Sequence, residues 1–150
     1  MKKIAVLVSG GGTNLQALID DGIEISLVIS SKKDVYALTR AVENGIPTET
    51  VEWSHYKPDR VTFSRDILKI LEYNNIDLVV YAGFLVILDD CVCDAFPNAM
   101  LNVHPSLIPA FCGVTRYVKL INDMNVYVRS LIFIEFSITT SCFWRLFSTS

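Results

Sequence analysis

Asn102 and His104 stand two residues apart, at the end of the apolar run Met100 to Val103 and the start of a proline-punctuated loop, His104-Pro-Ser-Leu-Ile-Pro109. In an extended strand, residues i and i+2 point the same way, so an amide and an imidazole can converge on one atom there. A carbonyl under attack suits that pair. The amide donates to the developing oxyanion, and the imidazole donates to it as well or moves the proton of an attacking amine. Taken alone, the two residues are more simply read as strand-end polar groups satisfied by backbone in a Pro-rich turn.

A second chemical signal lies at the other end of the chain. The short β-branched run Ile4 to Val8 is followed at once by Ser9-Gly-Gly-Gly12-Thr13-Asn14 and then by Leu15-Gln-Ala-Leu-Ile19. The first run reads as a buried parallel strand and the last as an amphipathic helix. Glycines let a backbone approach a ligand, and the first amides of a helix point at it with the positive end of the dipole. A phosphate is the natural occupant, although a purely structural turn has the same composition. The dinucleotide fingerprint does not fit: Leu15 stands where its third glycine belongs, and the next strand ends in Ser30-Ser31 rather than in an acidic ribose ligand.

The elements that must position these groups alternate strand and helix. Glu24 to Ile29 reads as a second strand, and Asp34 can cap a helix running to Asn44, with Gly45 at its C′ position. Thr48 to Glu52 is a third strand. Pro58 and Asp59 open a helix whose Ile67, Leu68, Ile70 and Leu71 form an apolar face, ended by Asn74-Asn75. Then follow a very apolar strand, Leu78 to Ala82, a short helix around Asp89 to Phe96, and a fifth strand, Met100 to Val103. Repeated strand-helix-strand units imply right-handed crossovers and an α/β fold with a Rossmann-like, doubly wound, mostly parallel sheet. Ligands then lie beyond the carboxyl ends of the strands, where both motifs fall.

Composition narrows the class. The chain has 150 residues, enough for one domain, with 51% hydrophobic and 19% charged residues and a formal net charge of -3. That mild acidity argues against a nucleic-acid surface. Cys91, Cys93, Cys112 and Cys142 lack zinc-site spacing and read as buried or half-buried free thiols, so no metal is expected. Met1-Lys-Lys before an apolar run imitates a signal peptide, but the run from Ile4 to Val8 is too short for one. A cytoplasmic enzyme with small-molecule substrates is the expectation. His55, in a loop after the third strand, reads as surface.

With SGGGTNLQALI at the front, SSKKDVYALTRAVENGIPT in the middle, then DLVVYAGFLVIL and LNVHPSLIP, residues 1–113 resemble phosphoribosylglycinamide formyltransferase, the purine-pathway glycinamide ribonucleotide transformylase. The resemblance is collinear over four motifs. It implies that Gly12, Thr13 and Asn14 hold the phosphate of glycinamide ribonucleotide, with Gly11 lending backbone freedom. It implies that Phe84, Leu85, Val86, Ile87 and Leu88 border the pterin of the folate, with Asn102 also against the folate and Arg60 at a place where the family carries an arginine near its ligands. Without the family, the segment Phe84 to Leu88 reads as core after a strand, and Arg60 as a charge on an exposed helical turn. Family members often have a basic residue where this chain has Val86, so any charge contact made from that position is absent.

The implied reaction is acyl transfer from 10-formyltetrahydrofolate, which serves as co-substrate. The primary amine of glycinamide ribonucleotide attacks the formyl carbon, Asn102 and His104 hold the oxygen of the tetrahedral intermediate, and the proton passes from amine to folate nitrogen.

The resemblance stops at Gly113. Family members continue with a helix, a pair of strands and a glycine-flanked Asp whose carboxylate works with the His; none of this follows here. Asp123 and Glu135 are the last carboxylates in the chain, and Asp123 stands in a non-matching context, so the role is not carried to it. Residues 114–150 are rich in aromatic and β-branched residues, contain no Gly or Pro, and read as a non-matching tail translated in a shifted frame, with a divergent extension as the competitor. A membrane anchor is disfavoured, because Glu135 interrupts Leu131 to Phe147. With the C-terminal part of the fold truncated or altered, an exposed sheet edge and self-association through it are expected.

Two function classes follow: the formyltransferase itself, and a non-catalytic remnant that binds a nucleotide phosphate through the Gly12 loop. Formyltetrahydrofolate hydrolase shares the formyl site but normally carries an extra N-terminal domain. Methionyl-tRNA formyltransferase shares the His-Pro-Ser segment but has a different phosphate loop and a further domain.

Overall fold

A computed structural model of the chain describes residues 2–103 and 134–135. Five parallel strands form the sheet: β1 (Ile4–Val8), β2 (Leu27–Ser30), β3 (Thr48–Thr50), β4 (Leu78–Ala82) and β5 (Met100–Val103). A two-residue strand, β6 (Ile134–Glu135), pairs antiparallel with β5, so Asn102 faces Glu135 and Val103 faces Ile134. The order across the sheet is β3-β2-β1-β4-β5-β6. The chain therefore winds outward from β1 in one direction, then returns to lay β4 on the other side of β1. That reversal opens a crevice between the loops that leave β1 and β4.

The strands sit where apolar, β-branched runs demand them. β1 and β2 are buried on both faces, as a parallel strand covered by helices must be. Helices α1 (Thr13–Asp20) and α2 (Tyr36–Glu43) cover one face, over Val6, Val8, Leu15, Leu18, Val28 and Ala41. Helices α3 (Arg60–Tyr73) and α4 (Asp90–Ala95) cover the other, over Ala5, Leu7, Ile29, Phe63, Ile67, Leu71 and Val92. Phe63, Ile67 and Leu71 recur every four residues and are fully buried, which gives α3 its orientation. Each such side chain contributes roughly 1.5–3 kcal/mol by leaving water.

Several boundaries differ from the sequence expectation. Asp34 does not cap α2. Its φ is 53°, in the left-handed region, and Val35 occupies the N-cap position without a side-chain hydrogen bond. Asp59 does cap α3, its carboxylate accepting the Thr62 N–H at 3.0 Å, and Gly45 follows α2 with φ 69°. β2 begins at Leu27 rather than Glu24, and β3 ends at Thr50, where a 3-10 turn, Trp53–His55, takes over. His55 is exposed on that turn, as expected. An exposed sheet edge was also expected; β6 pairs with β5 over Asn102 and Val103 alone, two of the four β5 residues. No helix among the described residues is long and apolar enough to cross a membrane.

Candidate functional site

The glycine loop has its carbonyls and its amides in different settings. Its carbonyls all turn toward the helices: Gly10 O accepts the Ala37 N–H at 3.1 Å, Gly11 O accepts Arg40 Nε at 3.0 Å, and Gly12 O accepts the Gln16 N–H at 2.9 Å. Among the described residues, no hydrogen bond is donated by the backbone N–H groups of Gly10, Gly11, Gly12, Thr13, Asn14 or Leu15. These amides lie at or just before the N-terminus of α1, the positive end of the helix dipole, and its first turn carries no acidic residue.

Gly12 carries the conformational demand. It is left-handed, with φ 73°, and a Cβ built on it would lie 2.7 Å from both Cα and Cβ of Ala37. Gly11 is not left-handed, and a Cβ there or on Gly10 meets nothing within 4 Å. Freedom expected at Gly11 thus belongs to Gly12, whereas Gly10 and Gly11 keep the space over the amides open.

Across the switch point lies an open cleft of about 820 Å³, lined by Trp53, Lys57, Arg60, Val61, Leu85, Val86 and Ile87, among others. The segment after β4 alternates. Leu85 and Ile87 are 77% and 63% exposed and form the cleft's apolar lip, whereas Leu88 is buried in the core. The Leu88 side chain is thus part of the core, which leaves its backbone as the part of it that could border a ligand. Phe84 likewise turns inward, with its ring stacked 6.4 Å from Phe63 and edge-on to Tyr81 at 5.8 Å. Val86 is half-buried and packs against the core while lining the cleft. The Arg60 guanidinium lies 3.9 Å from Asp89 and stays half-exposed, so its charge is available to the cleft. Asp59, beside it, is kept below the usual carboxylate range by the Thr62 hydroxyl and amide that it caps.

Asn102 stands level with Tyr81 of β4, which stands level with Leu7 of β1. Two strand spacings separate Asn102 from β1, about 10 Å. By strand alternation Asn102 shares a sheet face with Met100, which packs against the α3 and α4 core, and that is the face on which the cleft opens. His104 lies outside the described residues, as do Cys112, Cys142 and the non-matching tail apart from β6. Cys91 and Cys93 are half-buried thiols, and burial pushes the Cys91 thiol up, helped by Asp89. Among the described residues, no group of three or more His, Cys, Asp or Glu side chains is placed to hold a metal.

Residues 2–123 match the formyl transferase family. The chain belongs to that family. Among curated relatives of this formyl transferase chain, the trifunctional purine biosynthetic protein adenosine-3 of Homo sapiens is 44% identical over 117 residues, covering 74% of this chain and 12% of that protein. The phosphoribosylglycinamide formyltransferase of Haemophilus influenzae is 38% identical over 127 residues, covering 81% of this chain and 59% of that enzyme. Glycinamide ribonucleotide transformylase 1 of Symbiobacterium toebii superposes with a TM-score of 0.70 at 38% identity, over 76% of this chain and 56% of that one. The chain thus spans somewhat over half the length of these single-function relatives. The resemblance to phosphoribosylglycinamide formyltransferase and the α/β architecture read from the sequence are both borne out.

Sequence reasoning missed two residues that brace the loops of this candidate site. Arg40 tethers the loop at Gly11 O, also donates to Gln16 Oε1 at 2.9 Å, and lies 4.7 Å over the Tyr36 ring. Ser9 is buried, with its hydroxyl 2.6 Å from that of Ser31 while it accepts the Leu85 N–H at 2.9 Å. The Ser9-Ser31 pairing carried a trace in the sequence, two serines at the ends of adjacent parallel strands. Arg40, 29 residues from its partner, carried none.

Proposed function

We propose that this chain derives from an enzyme that transfers the formyl group of 10-formyltetrahydrofolate to the amine of glycinamide ribonucleotide. The observation that carries the reading is the row of amides from Gly10 to Leu15, which donate no hydrogen bond among the described residues, at the same end of the sheet as Asn102 and separated from it by a span of two strands. That span suits a phosphoribosyl glycinamide, with its phosphate at the loop and its amine at the strand end. Thr13 and Asn14 open the helix beneath the phosphate. The folate occupies the cleft, its ring against the Leu85 to Ile87 lip and its acidic end toward Arg60.

In this reading the amine attacks the formyl carbon, Asn102 donates to the oxyanion, and His104 moves the proton. The reaction is cytoplasmic and uses these two small molecules. Residues 1–113 form the working region, and 114–150 form a tail of separate character that leaves the sheet prone to self-association. Calorimetry with glycinamide ribonucleotide and a 10-formyl folate, paired with a turnover assay, tests all of this. Binding of both with measurable transfer supports the enzyme, and no binding of either overturns the reading.

A second reading has its own support. The amide loop is complete, while the sequence offers no family-like carboxylate to partner His104. Under that reading the chain binds glycinamide ribonucleotide without turning it over.

A further inference from the structure

The lip of the large cleft is held at both ends by buried hydroxyls. At its start the Leu85 N–H donates to Ser9 Oγ at 2.9 Å, and just past its end the Asp89 N–H donates to Ser64 Oγ at 2.8 Å. Ser9 is 3% exposed, and Ser64 is wholly buried on α3. Between these anchors, among the described residues, the N–H groups of Val86 and Ile87 donate no hydrogen bond. The lip is therefore a strap fixed by its two ends.

Ser64 lies one helical turn after Arg60, so the two side chains share a face of α3. Asp89 meets both of them: its N–H rests on the Ser64 hydroxyl, and its carboxylate lies 3.9 Å from the Arg60 guanidinium. The same carboxylate accepts the Cys91 N–H at 3.4 Å as the N-cap of α4. One residue thus carries the end of the lip, the start of α4 and the neighbour of the cleft's arginine, and a hydroxyl on α3 fixes its backbone. Ser64 itself does not line the cleft, so any effect it has on a ligand there passes through Asp89.

We propose that Ser64 is a positioning residue for the folate co-substrate, acting through Asp89 to fix the Leu85 to Ile87 lip against Arg60. The inference rests on the reading given under Proposed function. Ser64→Ala takes the acceptor from the part-buried Asp89 N–H and frees one end of the lip, while Ser9 still holds the other. The glycine loop keeps its own braces, Ser9 and Arg40. The loss therefore falls on one ligand of the two.

The test titrates a 10-formyl folate and glycinamide ribonucleotide into the full chain and into its Ser64→Ala variant. One buried hydrogen bond is worth about tenfold in an equilibrium, so the variant should bind the folate about tenfold more weakly, with its affinity for glycinamide ribonucleotide matching the parent. A merely structural role lowers the folded fraction and moves both affinities together. An equal fall for the two ligands thus overturns the proposal, as does unchanged affinity for the folate. Amide hydrogen exchange of the parent checks the strap without any variant: Leu85 and Asp89 should exchange far more slowly than Val86 and Ile87, and an Asp89 amide that exchanges as fast as that of Ile87 overturns the anchor. A parent that binds no 10-formyl folate overturns the folate reading, and the positioning role with it.

Discussion

The buried Ser9 hydroxyl accepts the Leu85 N–H at 2.9 Å, and so joins the residue that opens the glycine loop to the residue that forms the lip of the large cleft. The two segments lie 76 positions apart in sequence and meet at the point where the sheet reverses its order. Because the same hydroxyl also pairs with Ser31, one oxygen fixes three loops. Ser9→Ala strands the Leu85 N–H and the Ser31 hydroxyl together. The expected loss is about 1–3 kcal/mol of stability, read by denaturant melting, with weaker binding at the glycine loop and in the large cleft; unchanged melting would show that the three loops are held by other means.

Gly12 and Gly11 separate folding from binding. Gly12→Ala meets Ala37 at 2.7 Å and takes on a left-handed conformation, so it loses at least about 1–2 kcal/mol. Gly11→Ala has open space and should melt like the parent. Its methyl group instead enters the region above the amides, and binding of glycinamide ribonucleotide should fall. Parallel thermal melts and titrations of the two variants check the division, which fails if both behave alike.

Arg40 acts on the loop from behind. Arg40→Met keeps the helical stem but removes both side-chain hydrogen bonds, to Gly11 O and to Gln16. A charged hydrogen bond is worth about 1.5–3 kcal/mol. Affinity for glycinamide ribonucleotide should drop about tenfold or more, while a 10-formyl folate binds as before. Arg40→Lys should restore little, because an ammonium cannot reproduce two directed planar contacts.

Removing the Asn102 amide tests the chemistry. In a chain that turns over, Asn102→Ala should lose about a hundred- to a thousandfold in kcat with both ligands still bound. Near-normal turnover would remove Asn102 from the oxyanion role.

Acid should act on α3. Hydrogen bonds from Thr62 hold the Asp59 carboxyl below its ordinary value, and Lys69 and Tyr56 do the same for Asp66. A depressed carboxylate contributes stability above its unfolded pKa, and that contribution is lost as pH falls through the folded value. Stability should therefore decline below about pH 4, and Asp59→Ala should flatten part of that decline. Urea melts of parent and variant from pH 7 to pH 3 decide it.

How much of this was legible in the residues depends on the range of the interaction. The strands and α3 announce themselves through apolar runs and a four-residue period, and the Asp59 cap follows from residue type three positions before Thr62. Asp34 misled because a carboxylate before a helix resembles a cap, whereas its backbone is left-handed and the cap falls one residue later. An apolar run after a strand hides its own alternation, and only the packing shows that the Leu85 and Ile87 side chains face out while that of Leu88 faces in. The tethers of Arg40 and Ser9 cross tens of residues, where no local pattern reaches.

The close seat of Gly12 on Ala37 places a setting for the nucleotide loop inside helix α2. The backbone of Ala37 grips Gly10 while its methyl group limits position 12, so a larger side chain there would lift the loop as a lever does. The shape of the glycine loop can thus drift, during descent or in the hands of an engineer, through a residue on the helix behind it.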